Sequence, residues 1–448
     1  INRTYLLLMQ VRRITNNLIN WVKSIMTRQD WYPLTNAQEA YWDEFVQHPD
    51  RPLSTVAHCL EISGSIDLEK LADAINQTVS EAEALLLRFR RLENQYYPVQ
   101  MVCFDEKPTV EVIDLRGEEN AQEQVNAYLR SDVETAIDLE KDVITKVQLY
   151  IVGSQKVFWY LRTHHIAVDG YSMSLIEQRC SELYLCLVNN TAPKHYFKTF
   201  EVYLKENTDY LDSDRFDVDR SYWGNYLDSA NLTLSNHDIS VSDTVYCERD
   251  VPESICDSLI TVSKQLMIGW SDILTLLCTA YLYRHWRSDE QTSFPLPVWL
   301  PFMNRMGNPC ANLPSLMVNT IPYIGEVADD ESVDSYLRRA VKELRGNYCH
   351  GRYRVENKCT SGGHYFISPF INILPFESTE FHGCSTKRRI IAGGIADGFN
   401  VTFRGSRQAK NMSLKIEAES SLFELHELTD HANHLLKYLS KALNSVLD

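Results

Sequence analysis

THHIAVDGYS, residues 163–172, sets two histidines side by side, an aspartate four residues after the second, and then a glycine. Three readings compete for it: a metal site, an ordinary polar turn, and a catalytic base with the partners that fix its geometry. Helical zinc pairs stand at i, i+4 so that both rings share a face. Adjacent residues at a strand end point to opposite sides, so His164 and His165 do not readily share an ion, and no metal is expected. The polar turn accounts for a lone histidine; the catalytic reading accounts for more of the residues. With one ring toward a cleft, the other points into the fold and stiffens the strand end. Asp169 then braces the loop through an ion pair with an arginine, and Gly170 turns the backbone and bares an N–H. The helix that begins near Ser172 aims its positive end at the same spot, which suits a developing oxyanion. A neutral imidazole, with an unperturbed pKa of about 6.5, is the natural general base near neutrality. On this reading the chemistry is acyl transfer, and His165 takes a proton from an attacking amine or hydroxyl.

Outward from the motif, strand and helix periods alternate. VITKVQLYIVGSQKVFWYLRTHH, 143–165, reads as two strands joined at Ser154–Lys156, and SMSLIEQRCSELYLCL, 172–187, as a helix with a capping box of Ser174 and Glu177. Upstream, Thr35 or Asn36 caps a helix that runs to about His48, STVAHCLEIS is a strand, and Asp67 caps a helix with Leu68, Leu71, Ala72, Ile75 and Val79 at helical spacing. A hairpin turning near Asn94 and a helix over 119–130 complete this half. Polar helices over 197–212 and 216–228 follow. The second half repeats the mixture: strands near 244–250, 294–300, 315–323, 364–374, 399–404 and 412–418, with helices over 253–266, 271–286, 333–346 and 423–446. This pattern predicts an α/β chain of two lobes, divided as 29–215 and 216–448.

The 448 residues are too many for one compact core. A formal net charge of −16 argues against a nucleic-acid partner and fits a cationic one. The eleven cysteines are odd in number, scattered and without a CxxC pair, the usage of a reduced, cytoplasmic compartment. Near the N-terminus an apolar patch at Tyr5–Met9 is interrupted by Arg12 and Arg13, too early for a membrane span, and residues 1–28 read as an extension. GYSMS and GCSTK both fail the GxSxG pattern. There is no GxxxxGK[ST] phosphate loop and no GxGxxG fingerprint. An acyl group must therefore arrive already activated.

HHIAVDG, 164–170, resembles the HHxxxDG motif of nonribosomal peptide synthetase condensation domains and their chloramphenicol-acetyltransferase-like relatives. LTNAQEAYW (34–42), AEALLLRF (82–89), LPSLMVNTIP (313–322), SPFINILPFE (368–377) and FNVTFRG (399–405) are similar to further motifs of that family, the last two to its siderophore-type members. Together they span residues 31–448.

The resemblance implies two chloramphenicol-acetyltransferase-like lobes in a V-shaped pseudodimer, with a central tunnel and one HHxxxDG motif, in the N-terminal lobe. It implies a monomeric, freestanding amide synthase that binds no cofactor. Such an enzyme takes an aryl acid, 2,3-dihydroxybenzoate, from the 4'-phosphopantetheine arm of an aryl carrier protein and joins it to a primary amine of a polyamine such as norspermidine or spermidine. His165 becomes the catalytic or positioning base with His164 beside it, and the Gly170 amide the oxyanion donor. Asp169 becomes a structural partner of Arg305 in PFMNR. Asn372, and less directly Asn319, face the acceptor. Met306 stands where the freestanding relative carries a tryptophan, which bears on acceptor recognition because aromatic faces bind polyamine cations. Trp299 matches a core strand position. KRR (387–389) and RFRR (88–91) are the basic stretches that a carrier protein would dock against, or else solvated charged faces. The competing classes are a CoA-dependent acyltransferase of the same fold and a non-catalytic condensation-like docking domain.

Overall fold

The computed structural model describes residues 31–193, 197–229, 244–286, 297–328, 330–355, 368–376, 379–394 and 398–448; the proposed extension 1–28 lies outside them. The first half runs β1 (Tyr32–Pro33), α1 (Asn36–Gln47), β2 (Thr55–Gly64), α2 (Leu68–Glu81), β3 (Leu87–Arg90), β4 (Val99–Val102), β5 (Glu111–Asp114), α3 (Ala121–Val133), β6 (Lys146–Gly153), β7 (Lys156–His164) and α4 (Gly170–Val188). Helices α5 (Phe200–Leu211) and α6 (Asp214–Ser229) lead into β8 (Thr244–Asp250), α7 (Glu253–Leu266), α8 (Trp270–Trp286), β9 (Pro297–Phe302), β10 (Asn319–Ile324), α9 (Val333–Cys349), β11 (Phe370–Leu374), β12 (Cys384–Gly393), β13 (Phe399–Arg404), β14 (Ser413–Glu419) and α10 (Leu425–Leu447).

Strand β7 shows why the motif lies where it does. Its run VFWYL is apolar without a break because both of its faces are covered: Val157, Trp159 and Leu161 join one core cluster, Phe158 and Tyr160 another. A period of two carried to the end of the strand leaves the buried His164 as its last residue, opposite Thr55 of β2. The helix caps follow their sequences. Thr35 and Gln38 form a capping box on α1, and the Asp67 side chain accepts from the Lys70 N–H at the start of α2.

Two large sheets organise the chain, of order β12-β2-β7-β6-β5 and β10-β9-β11-β13-β14-β8, with β1-β4-β3 forming a small third. The first of these corrects the sequence reading. β12, from the second half, pairs antiparallel with β2 along its length and forms the edge of the first-half sheet, with a bulge between Ile390 and Ala392. The pattern CSTKRRIIAG reads as a solvated basic stretch because an edge strand carries charges on its open side. β5 was also unforeseen; it is four mostly exposed residues parallel to β6.

Helix α4 is a second correction. It starts at Gly170, with Asp169 as its N-cap accepting from the Ser172 N–H, so Ser174 and Glu177 lie inside the helix rather than forming its cap. β10 begins at Asn319 rather than near 315, because the amides before it bond elsewhere: Leu316 N–H donates to Ala167 O, and those of Met317 and Val318 to Asp169.

Candidate active site

The loop after β7 is fastened from both halves of the chain. His165 N–H donates to Ser54 O at 2.8 Å, and the Leu316 amide reaches Ala167 O at 3.0 Å. Gln38 Nε2 reaches Ile166 O at 3.1 Å while the two amides of Gln38 and Gln100 pair reciprocally. This gives the Ala-Gln of the first motif a physical role: it holds the histidine loop from α1.

His164 points into the fold. Its Nδ1 accepts the Ile166 N–H at 3.1 Å, so the ring proton sits on Nε2. Burial, with His165 as a lesser influence, lowers its pKa to about 3, and the ring stays neutral. His164 is thus the inward ring of the pair and stiffens the strand end.

His165 is only partly buried. Its ring stacks on Tyr41, with centroids 5.1 Å apart and planes 13° from parallel. Nδ1 is buried and has no hydrogen-bond partner of ordinary geometry among the described residues, which places the exposure toward the Nε2 edge. Burial lowers the imidazole pKa, opposed by Asp169 and by the backbone at His165 and Val168. A depressed value keeps the ring unprotonated at neutral pH, as a proton acceptor requires.

Asp169 and Arg305 meet across the two halves. Asp169 Oδ1 accepts from the Ser172 N–H at 2.8 Å, Ser172 Oγ at 2.7 Å and Arg305 Nη2 at 3.0 Å. Oδ2 accepts from Arg305 Nη2 at 2.9 Å and from the amides of Met317 and Val318 at 3.0 and 3.1 Å. Arg305 also donates to the carbonyls of Ala311, Leu313 and Ser315. Burial alone would raise the Asp169 pKa; Arg305 and the donors of Met317 and Ser172 hold it below the usual range. No motif in the sequence announces Ser315, Met317 and Val318 as partners, because they contribute backbone atoms.

Gly170 is exposed and occupies the first position of α4, where an N–H has no intrahelical acceptor. The expectation that it is needed for a sharp turn is corrected. It is not among the residues at positive φ, and a Cβ there would meet nothing within 4 Å. What the glycine provides is clear space before the helix terminus. Tyr171 follows it, with the Arg305 guanidinium 5.1 Å from its ring centroid and Phe376 in edge contact at 5.5 Å.

The remaining candidates separate. Asn319 is buried and fully engaged: Nδ2 donates to Gly351 O and Tyr353 O, and Oδ1 accepts the Thr320 N–H. These bonds anchor the start of β10. Asn372, on β11 opposite Thr402, has a buried Oδ1 without a hydrogen-bond partner among the described residues. Met306 is wholly exposed, and Trp299 lies in the core. The basic stretches are largely taken up. Arg388 pairs with buried Glu177, which also meets His58 Nδ1 at 2.7 Å, and Arg389 donates to Asn126. Arg88 pairs with Glu106 and Arg91 with Glu140, while Arg90 lies 4.2 Å over the Trp31 ring.

A cavity of about 280 Å³ between α8, α9 and α10 contains none of these residues. No group of three or more metal-ligating side chains occurs among the described residues, and no single described helix is long and apolar enough to cross a membrane.

The condensation domain family matches residues 28–447. The chain belongs to that family. Condensation domains are amide-bond-forming, acyltransferase-type enzymes that act on substrates carried by phosphopantetheine. The fold is the chloramphenicol-acetyltransferase-like α/β architecture of the crystal structure of VibH, an NRPS condensation enzyme: identity is 32%, TM-score 0.82, over 92% of this chain and 96% of that one. The first condensation domain of the calcium-dependent antibiotic synthetase shares the fold, with TM-score 0.79 at 22% identity over 92% and 96% of the two chains. Among curated proteins, a dimodular nonribosomal peptide synthase of Bacillus subtilis is 26% identical over 93% of this chain, and vanchrobactin synthetase VabF of Vibrio anguillarum 23% over 93%. This condensation domain spans 18% and 15% of those two proteins.

Proposed function

We propose that this condensation domain forms an amide between an aryl acid, 2,3-dihydroxybenzoate, held as a thioester on the phosphopantetheine arm of an aryl carrier protein, and a primary amine of a free polyamine such as norspermidine or spermidine. The observation that carries the reading is a neutral, part-exposed His165 beside the clear N-terminus of α4. The 32% identity with VibH over nearly the whole of both chains supports a role of that kind, and a net charge of −16 suits a polycationic acceptor.

The amine nitrogen attacks the thioester carbon and the carbonyl oxygen becomes an oxyanion, which the Gly170 N–H and the α4 dipole stabilise. His165 Nε2 takes the proton released from nitrogen. As the C–S bond breaks, that proton passes to the departing thiolate, leaving amide and free thiol. The thioester is already activated, so holding the two substrates in contact supplies much of the acceleration, up to ~7–11 kcal/mol in favourable cases.

The test is mass-spectrometric transfer from 2,3-dihydroxybenzoyl-loaded aryl carrier protein to norspermidine, spermidine or putrescine, with His165→Ala as the control. Amide formation that depends on His165 is expected. A carrier that stays loaded with every amine would sink the polyamine reading, and transfer from free acyl-CoA without a carrier would replace it with the CoA-dependent one.

A further inference from the structure

His165 is gripped by two segments far from it in sequence. Tyr41, on the last turns of α1, lies flat against one face of the imidazole at 5.1 Å between centroids and 13° between planes. Gly394, just past the end of β12, lies beside the Cδ2–Nε2 edge of the ring. Its N–H donates to Thr55 O at 3.2 Å, which ties it to the first residue of β2, the neighbour of the Ser54 whose carbonyl holds the His165 amide. A Cβ on Gly394 would lie 3.4 Å from His165 Cδ2 and 3.9 Å from Nε2, and its φ of +86° is one that residues with side chains rarely adopt. Glycine therefore meets a requirement of conformation here, and any added Cβ would come into van der Waals contact with the edge of the ring that carries Nε2.

We infer that Tyr41 and Gly394 are positioning residues of the condensation site, a slot that fixes the imidazole plane and leaves Nε2 as the nitrogen offered to the incoming amine. Nδ1 is already walled in and has no partner of ordinary geometry among the described residues. The backbone at His165 and Val168 is the polar surrounding of the ring, and stacking on Tyr41 adds the constraint on its plane. Among the described residues, the groups that bear on the charge of His165 are Asp169, His164 and the backbone at His165 and Val168. Asp169 supplies the nearby charge, His164 is neutral beside it, and Tyr41 contributes its ring from α1; Gly394 brings no side chain. Tyr41 covers the imidazole from water, so its loss admits solvent and favours the protonated ring. The inference rests on His165 acting on the amine, but its physical content is measurable without any substrate.

The experiment uses the full chain, with Tyr41→Phe, Tyr41→Leu and Gly394→Ala. His165 is titrated by NMR in protein labelled with 15N at histidine, and acyl transfer is followed against pH. Tyr41→Phe, which keeps the stacked ring, should hold the His165 titration close to that of the parent and retain more turnover than Tyr41→Leu. Tyr41→Leu should raise the His165 midpoint toward about 6.5 and move the acid limb of the rate profile up with it. Its kcat should fall about tenfold to a hundredfold while KM changes little. Gly394→Ala should lower kcat with the same sparing of KM and broaden or shift the His165 resonances. An unmoved His165 titration in Tyr41→Leu would overturn the inference, as would a Tyr41→Phe variant that falls as far as Tyr41→Leu. Should His165→Ala retain full activity while the titration responds to Tyr41→Leu, the slot stands and it is the assignment of His165 as base that fails.

Discussion

Asp169 accepts six hydrogen bonds, and only some of their donors are side chains. Removing Arg305 therefore leaves a buried carboxylate still tied to backbone amides but stripped of its counter-charge. Arg305→Ala should destabilise the protein by about 3–5 kcal/mol, read as a lower urea midpoint. The pH dependence has a definite sign. A carboxyl held below its ordinary value contributes stability above its unfolded pKa and loses it as pH falls through the folded one. That window lies below about pH 4 in the parent. Without Arg305, burial dominates and raises the folded value, so acid unfolding should begin at higher pH, checked by circular dichroism across an acid titration. Gly170 makes the contrasting case. Gly170→Ala finds open space and ordinary backbone angles, so the melting temperature should hold or rise slightly. Transfer activity should fall, because a methyl now stands before the helix terminus. At this scale the HHIAVDG stretch displayed His165, Asp169 and Gly170. It could not display Tyr41 or Gly394, whose relation to the ring exists only once α1 and the end of β12 lie against it. Nor could it show that both polar ends of the Asn319 side chain are engaged.

The elements repay the same comparison. Apolar runs and capping residues were enough to place β2, α2, β6 and β7, the strands being largely buried along their length. They were not enough for β12, whose exposure alternates while its residues are basic, nor for the start of α4, where a plausible capping box sits one turn inside the true cap. The true cap, Asp169, is the very residue engaged by Arg305, so local sequence rules competed with a contact made 136 residues away. A prediction belongs to β12. Arg388 neutralises Glu177, which is buried and whose pKa would rise on burial were it not for His58 and Arg388. Arg388→Ala should lower stability by about 3–5 kcal/mol, whereas Lys387→Ala, on the open side of the same strand, should change it by no more than about 0.5 kcal/mol. Paired urea titrations distinguish the two, and equal effects would remove the buried pair as the cause.

For the whole molecule, a net charge of −16 would help to gather the proposed cationic acceptor from solution. If long-range attraction assists binding, raising salt from about 0.05 to 0.5 M, which shortens the screening length several-fold, should raise KM for the polyamine. It should leave kcat nearly constant, since proton transfer occurs inside the site; steady-state kinetics across that range provide the check. The mixed α/β class was legible in the alternation of strand and helix, but the way the two large sheets share the chain was not. β12 leaves the second half, completes the edge of the first-half sheet, and returns to β13. That exchange bears on recombination between family members. A chimera that takes residues up to about 229 from one parent and the rest from another would pair a foreign β12 against β2, with foreign partners for Glu177 and a foreign Gly394 against the histidine. Grafts that respect the fold must carry Cys384–Gly394 together with the first half, so the transferable unit is a sheet in space rather than a continuous length of chain.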